Sequence, residues 1–397
     1  MGLIVSTLTL PAKPVGFSLI GNVRSVRIPV EIQNNIVLIP IQINGSFEMN
    51  FILDTGVRTT ILTEPVIASF LSLDSLSTVK VRGLGEGEAI DAALARNVAI
   101  TLPGVEGRGI NLLVLPEGLI SYSGMFGKPV YGIIGYELFG QFIVEINYHQ
   151  KYIELFDPFQ YQVRGKWSEL PIVIRRSKPY VEATMTDYRG VEITAYWLVD
   201  TGASMALSLF DKSLPLPETT IHAFLGQGLS GFVYGKLGRS RQFVLGDFVF
   251  EQVITGYPDP DALNLMAEDS SWYGNMGAEI ISRFRVILDY NAGKMYLRKN
   301  PRFKDLFEYN TSGLELIGTG TDYNTFIISY VRPNSPAEKA GVLPDDELLS
   351  INGMATDGLS LDQIYNMLDR QSGKRLNLRL RRGGQVEKLS FDLVREI

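Results

Sequence analysis

The stretch FILDTG at residues 51–56 decides the fold, because it returns as WLVDTG at residues 197–202. In both places three apolar residues lead into Asp-Thr-Gly, a pattern typical of a buried strand that ends in a tight turn. Two glycine-bounded segments, GIIG at 132–135 and GNMG at 274–277, follow the two aspartates at nearly the same spacing. The sequence therefore predicts two copies of one β-rich unit.

Each copy also closes in a similar way. FIVEINYHQKYIELFDP, from Phe142, ends the first copy, and FRVILDYNAGKMYLRKNP, from Phe284, ends the second. Two alternating runs around a turn predict a β-hairpin in both places. Strands are also predicted at Ile36–Ile43 and at Ala195–Val199, so the chain is expected to be mainly β.

Composition narrows the possible functions. A chain of 397 residues is too long for one ordinary core, so two or three domains are expected. The net charge of −6 comes without a basic stripe, so nucleic acid is not an expected partner. The absence of cysteine excludes disulfides and cysteine nucleophiles. No stretch has the apolar length of a membrane span.

The sequence also shows no set of residues suited to a metal site or to a serine catalytic triad. The chain has two histidines, His149 and His222, and no His-Glu pair at helical spacing, so no zinc ligand set is apparent. Neither histidine is placed as a base beside a nucleophile, and no G-x-S-x-G motif occurs. Neither a metal nor a cofactor is expected.

The two aspartates offer another way to activate water. Carboxyl groups held within about 3 Å of each other cannot both ionise, so they share one proton. One then acts as a base on a water molecule while the other acts as an acid, and the pair titrates as a unit. We therefore expect Asp54 and Asp200 to be the catalytic residues.

The neighbouring residues suit this task. The hydroxyl groups of Thr55 and Thr201 can hold the two loops together across a twofold axis. Gly56 and Gly202 let the backbone approach where a side chain would collide. Burial at the end of an apolar strand raises the pKa of a carboxyl group, which keeps the shared proton available.

Taken together, these motifs resemble the aspartic peptidases of the pepsin and retropepsin type. More narrowly, the region from about Arg27 onward resembles bacterial single-chain members with a C-terminal PDZ domain. The resemblance implies a two-lobed, pseudo-symmetric β-barrel fold, polypeptide substrates, and Asp54 and Asp200 as the catalytic pair. It also implies a periplasmic, cell-envelope or secreted location.

The resemblance further identifies supporting residues and flaps, which are hairpins that close over substrate. Ser204 stands where the family has a small residue that helps to position an aspartate, whereas the first motif departs from the pattern with Val57-Arg58. Ordinary hairpin turns remain the alternative for the flap glycines. The flap candidates are Gly83, Gly85, Gly87, Gly226, Gly228 and Gly231.

The pattern changes after a connector at about residues 300–312. A strand is predicted at 326–331, a short helix capped by Ser335 with Pro336 in its first turn, and a hairpin turn at Asn352-Gly353. A helix is predicted at 360–370. The C-terminal strand pattern KRLNLRLRR alternates charged and apolar residues, which favours a strand with one solvated face.

This third unit resembles a PDZ domain of the kind associated with bacterial proteases. By that resemblance, a peptide or a polypeptide C-terminus would add a strand beside the loop, its carboxylate held by backbone N–H groups. The helix at 360–370 would form the far wall of the groove. A docked domain whose groove is unused remains the alternative. The predicted peptide-binding residues are Gly313, Leu314, Glu315 and Leu316.

Three domains are therefore predicted: an N-terminal protease lobe at 1–156, a second lobe at 157–305 and a PDZ domain at 306–397. The predicted function is an aspartic endopeptidase that uses the PDZ domain to recruit substrates or partners. The principal alternative is a peptide-binding protein that keeps the fold with weak or no activity. A glycosidase is disfavoured, because its carboxyl groups must lie about 5 Å or more apart.

Overall fold

The computed structural model describes residues 15–73, 76–83, 85, 87–211, 214–263, 273–368 and 372–397. Within these ranges the protein is mainly β, as predicted. The strands of the first half are β1 (Gly16–Leu19), β2 (Ser25–Pro29), β3 (Glu31–Gln33), β4 (Ile36–Ile43), β5 (Met49–Leu53), β6 (Thr60–Leu62), β7 (Ser77–Val81), β8 (Ile90–Leu102), β9 (Val105–Val114), β10 (Gly132–Ile134), β11 (Ile143–Asn147) and β12 (Tyr152–Phe156).

The second half and the C-terminal unit supply the remaining strands. In the second half these are β13 (Ser168–Arg175), β14 (Lys178–Thr186), β15 (Glu192–Asp200), β16 (Leu207–Leu209), β17 (Ile221–Gly228), β18 (Gly231–Leu245), β19 (Phe248–Pro258), β20 (Gly274–Gly277), β21 (Phe284–Asp289) and β22 (Lys294–Lys299). In the C-terminal unit they are β23 (Leu314–Thr319), β24 (Thr325–Val331), β25 (Glu347–Ile351), β26 (Met354–Ala355), β27 (Arg375–Arg382) and β28 (Gln385–Asp392).

Helices are short throughout the described residues. The α-helices are α1 (Tyr122–Phe126), α2 (Tyr136–Phe139), α3 (Ala278–Ile281), α4 (Pro336–Lys339) and α5 (Leu361–Leu368), and 3₁₀ turns lie at Pro65–Phe70, Pro260–Leu263 and Pro301–Lys304. None of these helices is long and apolar enough to cross a membrane.

The first sheet builds the first lobe and leads to Asp54. Its nine strands include the order β1-β9-β6-β10-β5-β4-β8-β7. At its centre β10 runs parallel to β5, with Ile133 beside Ile52 and Ile134 beside Leu53. These strands are apolar and buried because both of their faces are covered, as expected of strands in a lobe core.

The second sheet joins the two halves. Its order is β17-β18-β19-β16-β20-β15-β14-β13-β22-β21-β11-β12-β2, so it takes in strands from both halves of the chain. The predicted closing hairpins are confirmed as β11 with β12 and β21 with β22. They meet where β11 pairs with β21 in antiparallel register, Val144 opposite Leu288 and Ile146 opposite Val286.

A partly buried ion pair reinforces this junction. Glu145 of β11 accepts hydrogen bonds from Arg285 of β21, with Nε–Oε1 at 2.6 Å and Nη2–Oε2 at 2.8 Å. The hydroxyl of Tyr152 donates to the same carboxylate at 2.9 Å. Nearby, the ring of Phe139 in the first half stacks on Tyr290 of the second at 5.4 Å. The halves therefore share one core as well as one sheet.

The C-terminal unit has its own sheet and core. The sheet order β23-β24-β25-β27-β28 leaves β23 at an edge, and α5 packs beside it. The Ser335 cap is confirmed, since its Oγ accepts the Glu338 N–H at 3.2 Å. The turn at Asn352-Gly353 joins β25 to β26 as predicted. The predicted helix 360–370 is observed as α5, and residues 369 and 370 lie outside the described part of the chain.

Candidate active site

Asp54 and Asp200 stand at the ends of two buried strands. Asp54 follows β5, and its backbone N–H donates to the Ile134 carbonyl at 2.9 Å. Asp200 is the last residue of β15, where it pairs with Gly277 of the parallel strand β20. In each half a parallel neighbour thus fixes the strand end that carries the aspartate.

Two threonines tie the Asp-Thr-Gly loops to each other. The Thr55 N–H donates to Thr201 Oγ1 at 3.1 Å, and the Thr201 N–H donates to Thr55 Oγ1 at 3.0 Å. Each hydroxyl then donates across to the other half, Thr55 to the Val199 carbonyl at 2.5 Å and Thr201 to the Leu53 carbonyl at 2.8 Å. Both threonines are buried, so this exchange fixes the relative position of the two loops.

The glycines let the carboxyl groups come close. A Cβ atom on Gly202 would lie 2.4 Å from Asp54 Oδ2, so the Asp54 carboxyl group occupies the space that a side chain would need. A Cβ on Gly56 would lie 3.0 Å from Asp54 Oδ1 and 3.6 Å from Asp200 Oδ1. The two carboxyl groups therefore lie beside the same pair of glycines, one from each half.

The ionisation of the two carboxyl groups is linked. Burial, and then the negative charge of Asp200, raise the pKa of Asp54 to about 7. Burial also raises the pKa of Asp200, while Lys178 and the backbone N–H groups of Gly202 and Ala203 oppose that rise. The pair can therefore hold one proton in the acidic to neutral range, as a general acid and base require.

Asn275 was not assigned a role by sequence reasoning. It stands where the first half has Ile133, it is buried, and its Nδ2 donates to Asp200 Oδ2 at 2.5 Å. The signal in the sequence was an amide in the GNMG segment where the first half has the apolar GIIG. Ser204, the residue predicted to support an aspartate, lies exposed.

The glycines that end the GIIG and GNMG segments, Gly135 and Gly277, are tightly packed. A Cβ on Gly135 would lie 2.1 Å from the Asp54 carbonyl oxygen, and one on Gly277 would lie 2.1 Å from the Met205 carbonyl oxygen. Neither position has room for a side chain. Among the described residues, no group of three His, Cys, Asp or Glu side chains could hold a metal ion.

The flap candidates lie on two hairpins, formed by β7 with β8 and by β17 with β18. The hairpins touch each other: the Gly87 N–H donates to the Ser230 carbonyl at 2.7 Å, and the Gly83 N–H donates to Ser230 Oγ at 3.2 Å. A Cβ on Gly85 would lie 2.5 Å from the backbone N of Gly231. Residues 84 and 86 of the first segment lie outside the described residues.

The remaining glycines lie within the second hairpin. Gly228 pairs with Gly231 next to its turn, and a register shift precedes Gly226, which has a φ of 135°. Only glycine adopts that backbone conformation readily.

The predicted peptide loop of the C-terminal unit is occupied by its own side chains. The N–H groups of Gly313 and Leu314 donate to Asn310 Oδ1 at 2.8 Å and to Ser312 Oγ at 3.3 Å. The Leu316 N–H donates to the Tyr365 hydroxyl of α5 at 3.0 Å.

Glu315 also contacts Tyr365 of α5. Its Oε2 accepts the Tyr365 hydroxyl at 3.1 Å, and burial raises the pKa of its carboxyl group. A peptide carboxylate would therefore have to compete with internal partners for this loop.

Two family models match parts of the chain. A model described as aspartyl protease matches residues 39–138, which include Asp54, and a model described as PDZ domain matches residues 327–382. The PDZ domain predicted for the C-terminal unit is thereby confirmed, and such a domain implies peptide binding.

Curated relatives resemble a smaller part of the chain. "Carboxy-terminal processing protease CtpB" of Bacillus subtilis (strain 168) is 35% identical over 86 residues, which is 21% of this chain and 18% of the relative. "Probable CtpA-like serine protease" of Staphylococcus saprophyticus is 31% identical over 89 residues, with the same two shares. The matched part thus spans about a fifth of the length of these relatives.

One solved structure shows a similarly limited likeness. "Photosystem II D1 C-terminal processing protease" is 25% identical, with a TM-score of 0.21, and the match covers 21% of this chain and 23% of that one. This likeness carries no argument about the fold of the whole chain.

The names of these relatives correct the predicted function. The sequence predicts an aspartic endopeptidase, whereas the relatives are named as carboxy-terminal processing proteases and as CtpA-like serine proteases. These names contradict the predicted aspartic endopeptidase, but they do not test the assignment of Asp54 and Asp200 as site residues. The comparisons agree on a protease and differ on its type, and one family model identifies the PDZ domain.

The threonine exchange predicts a large and specific loss of stability. Thr55→Val removes the acceptor of the Thr201 N–H and the donor to the Val199 carbonyl, so we expect a loss of about 1–3 kcal/mol for the buried groups left unpaired. The measurement is urea unfolding followed by intrinsic tryptophan fluorescence. The matched control is Thr63→Val, since the Thr63 Oγ1 is buried without a hydrogen-bond partner among the described residues. Equal effects of the two substitutions would contradict the account.

The raised pKa of Asp54 predicts how stability depends on pH. The folded protein holds this proton more tightly than the unfolded chain, so the stability contribution of Asp54 is lost as the pH rises from 3.8 to about 7. Asp54→Asn should therefore gain thermal stability relative to the wild type over this range and level off above it. The exposed Asp247→Asn is the control in the same pH series. A pH-independent difference for Asp54→Asn would contradict the assignment.

Proposed function

We propose that this chain is a protease that processes the carboxy-terminal segments of polypeptides, with the carboxyl groups of Asp54 and Asp200 as its reacting groups. The observation that carries the proposal is the reciprocal hydrogen bonding of Thr55 and Thr201, which holds the two aspartates together from opposite halves. No other described feature of the chain combines two buried carboxyl groups with linked ionisation.

The proposed chemistry needs one proton on the pair. The ionised carboxyl group removes a proton from water, and the water oxygen attacks the carbonyl carbon of the peptide bond. The protonated carboxyl group gives its proton to the substrate. When the C–N bond breaks, the amine nitrogen takes the proton that the first carboxyl group had accepted from water. A hydroxyl group of the tetrahedral intermediate returns its proton to the other carboxylate as the new carboxyl product forms, so the pair again holds one proton. Burial supports this cycle, because it keeps the first proton bound near neutral pH.

The proposal includes a duplicated, pseudo-symmetric protease fold. The strands β4–β12 occur in the same order along the chain as the strands β14–β22, and the two sets pair in the same way around their aspartates. Ile133 pairs with Ile52 as Asn275 pairs with Leu198, and both pairings are parallel. The aspartyl protease model matches within the first half, so the repeated register is what supports a second, equivalent half.

The substrate class follows from the hairpins and the PDZ domain. An extended polypeptide suits a cleft covered by two hairpins, since its backbone can pair with strands while its side chains alternate. The carboxy-terminal preference is proposed from the names of the relatives and from the peptide binding that a PDZ domain implies. A location outside the cytoplasm remains part of this proposal.

A serine-type protease is the second candidate, because relatives carry that name. Serine chemistry requires a base beside the nucleophile. Both histidines of the chain, His149 and His222, lie exposed on the surface. The carboxyl pair is therefore the stronger candidate for the reacting groups.

Substitution of either aspartate tests the proposal. Asp54→Asn and Asp200→Asn should each lower kcat/KM by about a thousandfold or more, because each removes one member of an acid and base pair. The substrate is an unfolded protein offered with a free or an amidated C-terminus, and cleavage is followed by mass spectrometry. We expect cleavage near the C-terminus, faster for the free carboxylate, and wild-type rates for Asp247→Asn.

A serine-reactive probe separates the two candidates. Incubation with a fluorophosphonate should leave the chain unlabelled and active. Labelling at one serine, together with full activity of both aspartate variants, would contradict the proposed reacting groups and favour the serine type.

A further inference from the structure

We infer that Asn275 decides which aspartate carries the shared proton: it keeps Asp200 ionised and leaves the proton on Asp54. This inference rests on the proposed function and adds to it a division of labour. Asp200 would be the base that takes a proton from water, and Asp54 would be the acid that protonates the substrate.

The hydrogen-bond donors around the two carboxyl groups are unequal. Asp200 Oδ2 accepts a hydrogen bond from the Asn275 side-chain amide at 2.5 Å, and Asp200 Oδ1 accepts one from the Gly202 N–H at 3.0 Å. The backbone N–H of Ala203 also favours the charged form of Asp200. Asp54 Oδ1 accepts a hydrogen bond from the Gly56 N–H at 2.6 Å. Donors stabilise the charged form of a carboxyl group, so the group with more donors ionises first.

The inequality arises at one position of an otherwise repeated pattern. Asn275 pairs with Leu198, two residues before Asp200, and Ile133 pairs with Ile52, two residues before Asp54. Asn275 and Ile133 are both buried, at 4% exposure each. Only the second half therefore places a side-chain donor at this point beneath its aspartate.

The other groups near the pair do not reproduce this difference. Lys178 favours the charged form of both aspartates. Tyr122 and Tyr290 face the pair as phenols whose pKa burial raises further, so they remain neutral. Asn275 is thus a positioning residue that acts through Asp200.

Exchange of the two residues tests the inference. Asn275→Leu removes the donor with little change in volume, and the acid limb of the pH profile of kcat/KM should move up by about one to two pH units. Adding Ile133→Asn to that variant places a donor under Asp54 instead. The acid limb should then return toward its original position, because one aspartate is again ionised preferentially.

The rescue distinguishes a proton-placing role from a merely structural one. A structural role predicts that Ile133→Asn, in the other half, worsens the variant and does not restore its pH profile. An unchanged acid limb in Asn275→Leu would overturn the inference while leaving the proposed function intact. Full activity of Asp54→Asn and Asp200→Asn would instead overturn the proposed function itself. Thermal unfolding of each variant confirms that it folds.

A different observation carries a second inference. We propose that helix α1 of the first lobe covers the outer end of the PDZ groove and competes there with a bound peptide. A Cβ on Gly124 of α1 would lie 3.3 Å from the Gly318 carbonyl oxygen of β23. A Cβ on Gly127, which follows α1, would lie 2.9 Å from Leu361 Cβ of α5. The segment therefore spans both walls of the groove.

The direction of a bound peptide makes this position important. A peptide that adds to the free edge of β23, with its carboxylate at the loop of Gly313, must lie antiparallel to β23. Its residues before the C-terminus then extend along β23 as far as Thr319. The last few residues of the peptide would meet the loop and Tyr365. Residues further from the C-terminus would reach Gly318, where α1 lies. A longer peptide must therefore displace α1.

The same segment reaches the catalytic pair and a hairpin tip. Tyr122 of α1 is buried, and the charge of Asp54 contributes to the rise of its pKa. Leu119, just before α1, accepts a hydrogen bond from the Gln227 side chain of the second hairpin at 3.1 Å. Gln33 holds the other end by donating to the Phe126 carbonyl at 2.7 Å. Displacement of α1 would therefore change the surroundings of Asp54.

Gly124→Leu tests this competition, since its side chain cannot fit against β23. The probe is a fluorescent peptide that ends in three apolar residues with a free carboxylate, and its amide is the control ligand. Binding is measured in the Asp200→Asn background, so it does not depend on hydrolysis. Gly124→Leu should bind the free-carboxylate peptide about five- to tenfold more tightly than the parent, as expected when a modest coupling energy is removed.

Two further variants make the result decisive. Gln33→Ala loosens α1 without adding bulk and should shift affinity in the same direction. Gly358→Leu adds the same side chain to the same domain in open space and should leave affinity unchanged. Equal affinities in the parent, Gly124→Leu and Gln33→Ala, or the absence of binding in all of them, would overturn the proposal.

Discussion

The structure depends on the exchange of hydrogen bonds between Thr55 and Thr201. Each hydroxyl accepts an N–H from the opposite loop and donates to a carbonyl in the opposite strand, so four buried groups are satisfied at once. Buried networks of this kind are stable only when every member has a partner. The two loops therefore have one permitted arrangement, and that arrangement brings Asp54 and Asp200 together.

This arrangement has an electrostatic cost that the fold must offset. Two buried carboxyl groups repel each other when both are ionised, which favours one retained proton. The sheet that runs through β11 and β21, and the ion pair of Glu145 with Arg285, hold the halves together against that repulsion. The shared core therefore keeps the carboxyl groups of Asp54 and Asp200 from moving apart, and the proposed reactivity of the pair depends on this rigidity.

The sequence allowed much of the fold to be predicted, because the duplication repeats an apolar strand, a tight turn and a closing hairpin. The aspartates, their threonines and the crowded glycines all stand in that repeat. Asn275 was missed because one buried amide in an apolar segment is visible as a departure but shows no partner until the strands are paired. The contact of α1 with β23 was missed for a similar reason, since it joins segments far apart in the chain. The comparisons differ on the type of protease, because relatives that share about a fifth of the chain carry another name than the aspartyl protease model that matches residues 39–138.

Carbon NMR of the aspartate carboxyl groups can show whether Asp54 and Asp200 share one proton. With ¹³C-labelled aspartate, and with Asp54→Asn and Asp200→Asn to assign the signals, the two carboxyl resonances can be followed through a pH titration. We expect two linked and well-separated steps, with the upper step near neutral pH. Two independent titrations near the ordinary pKa of aspartate, 3.8, would contradict it.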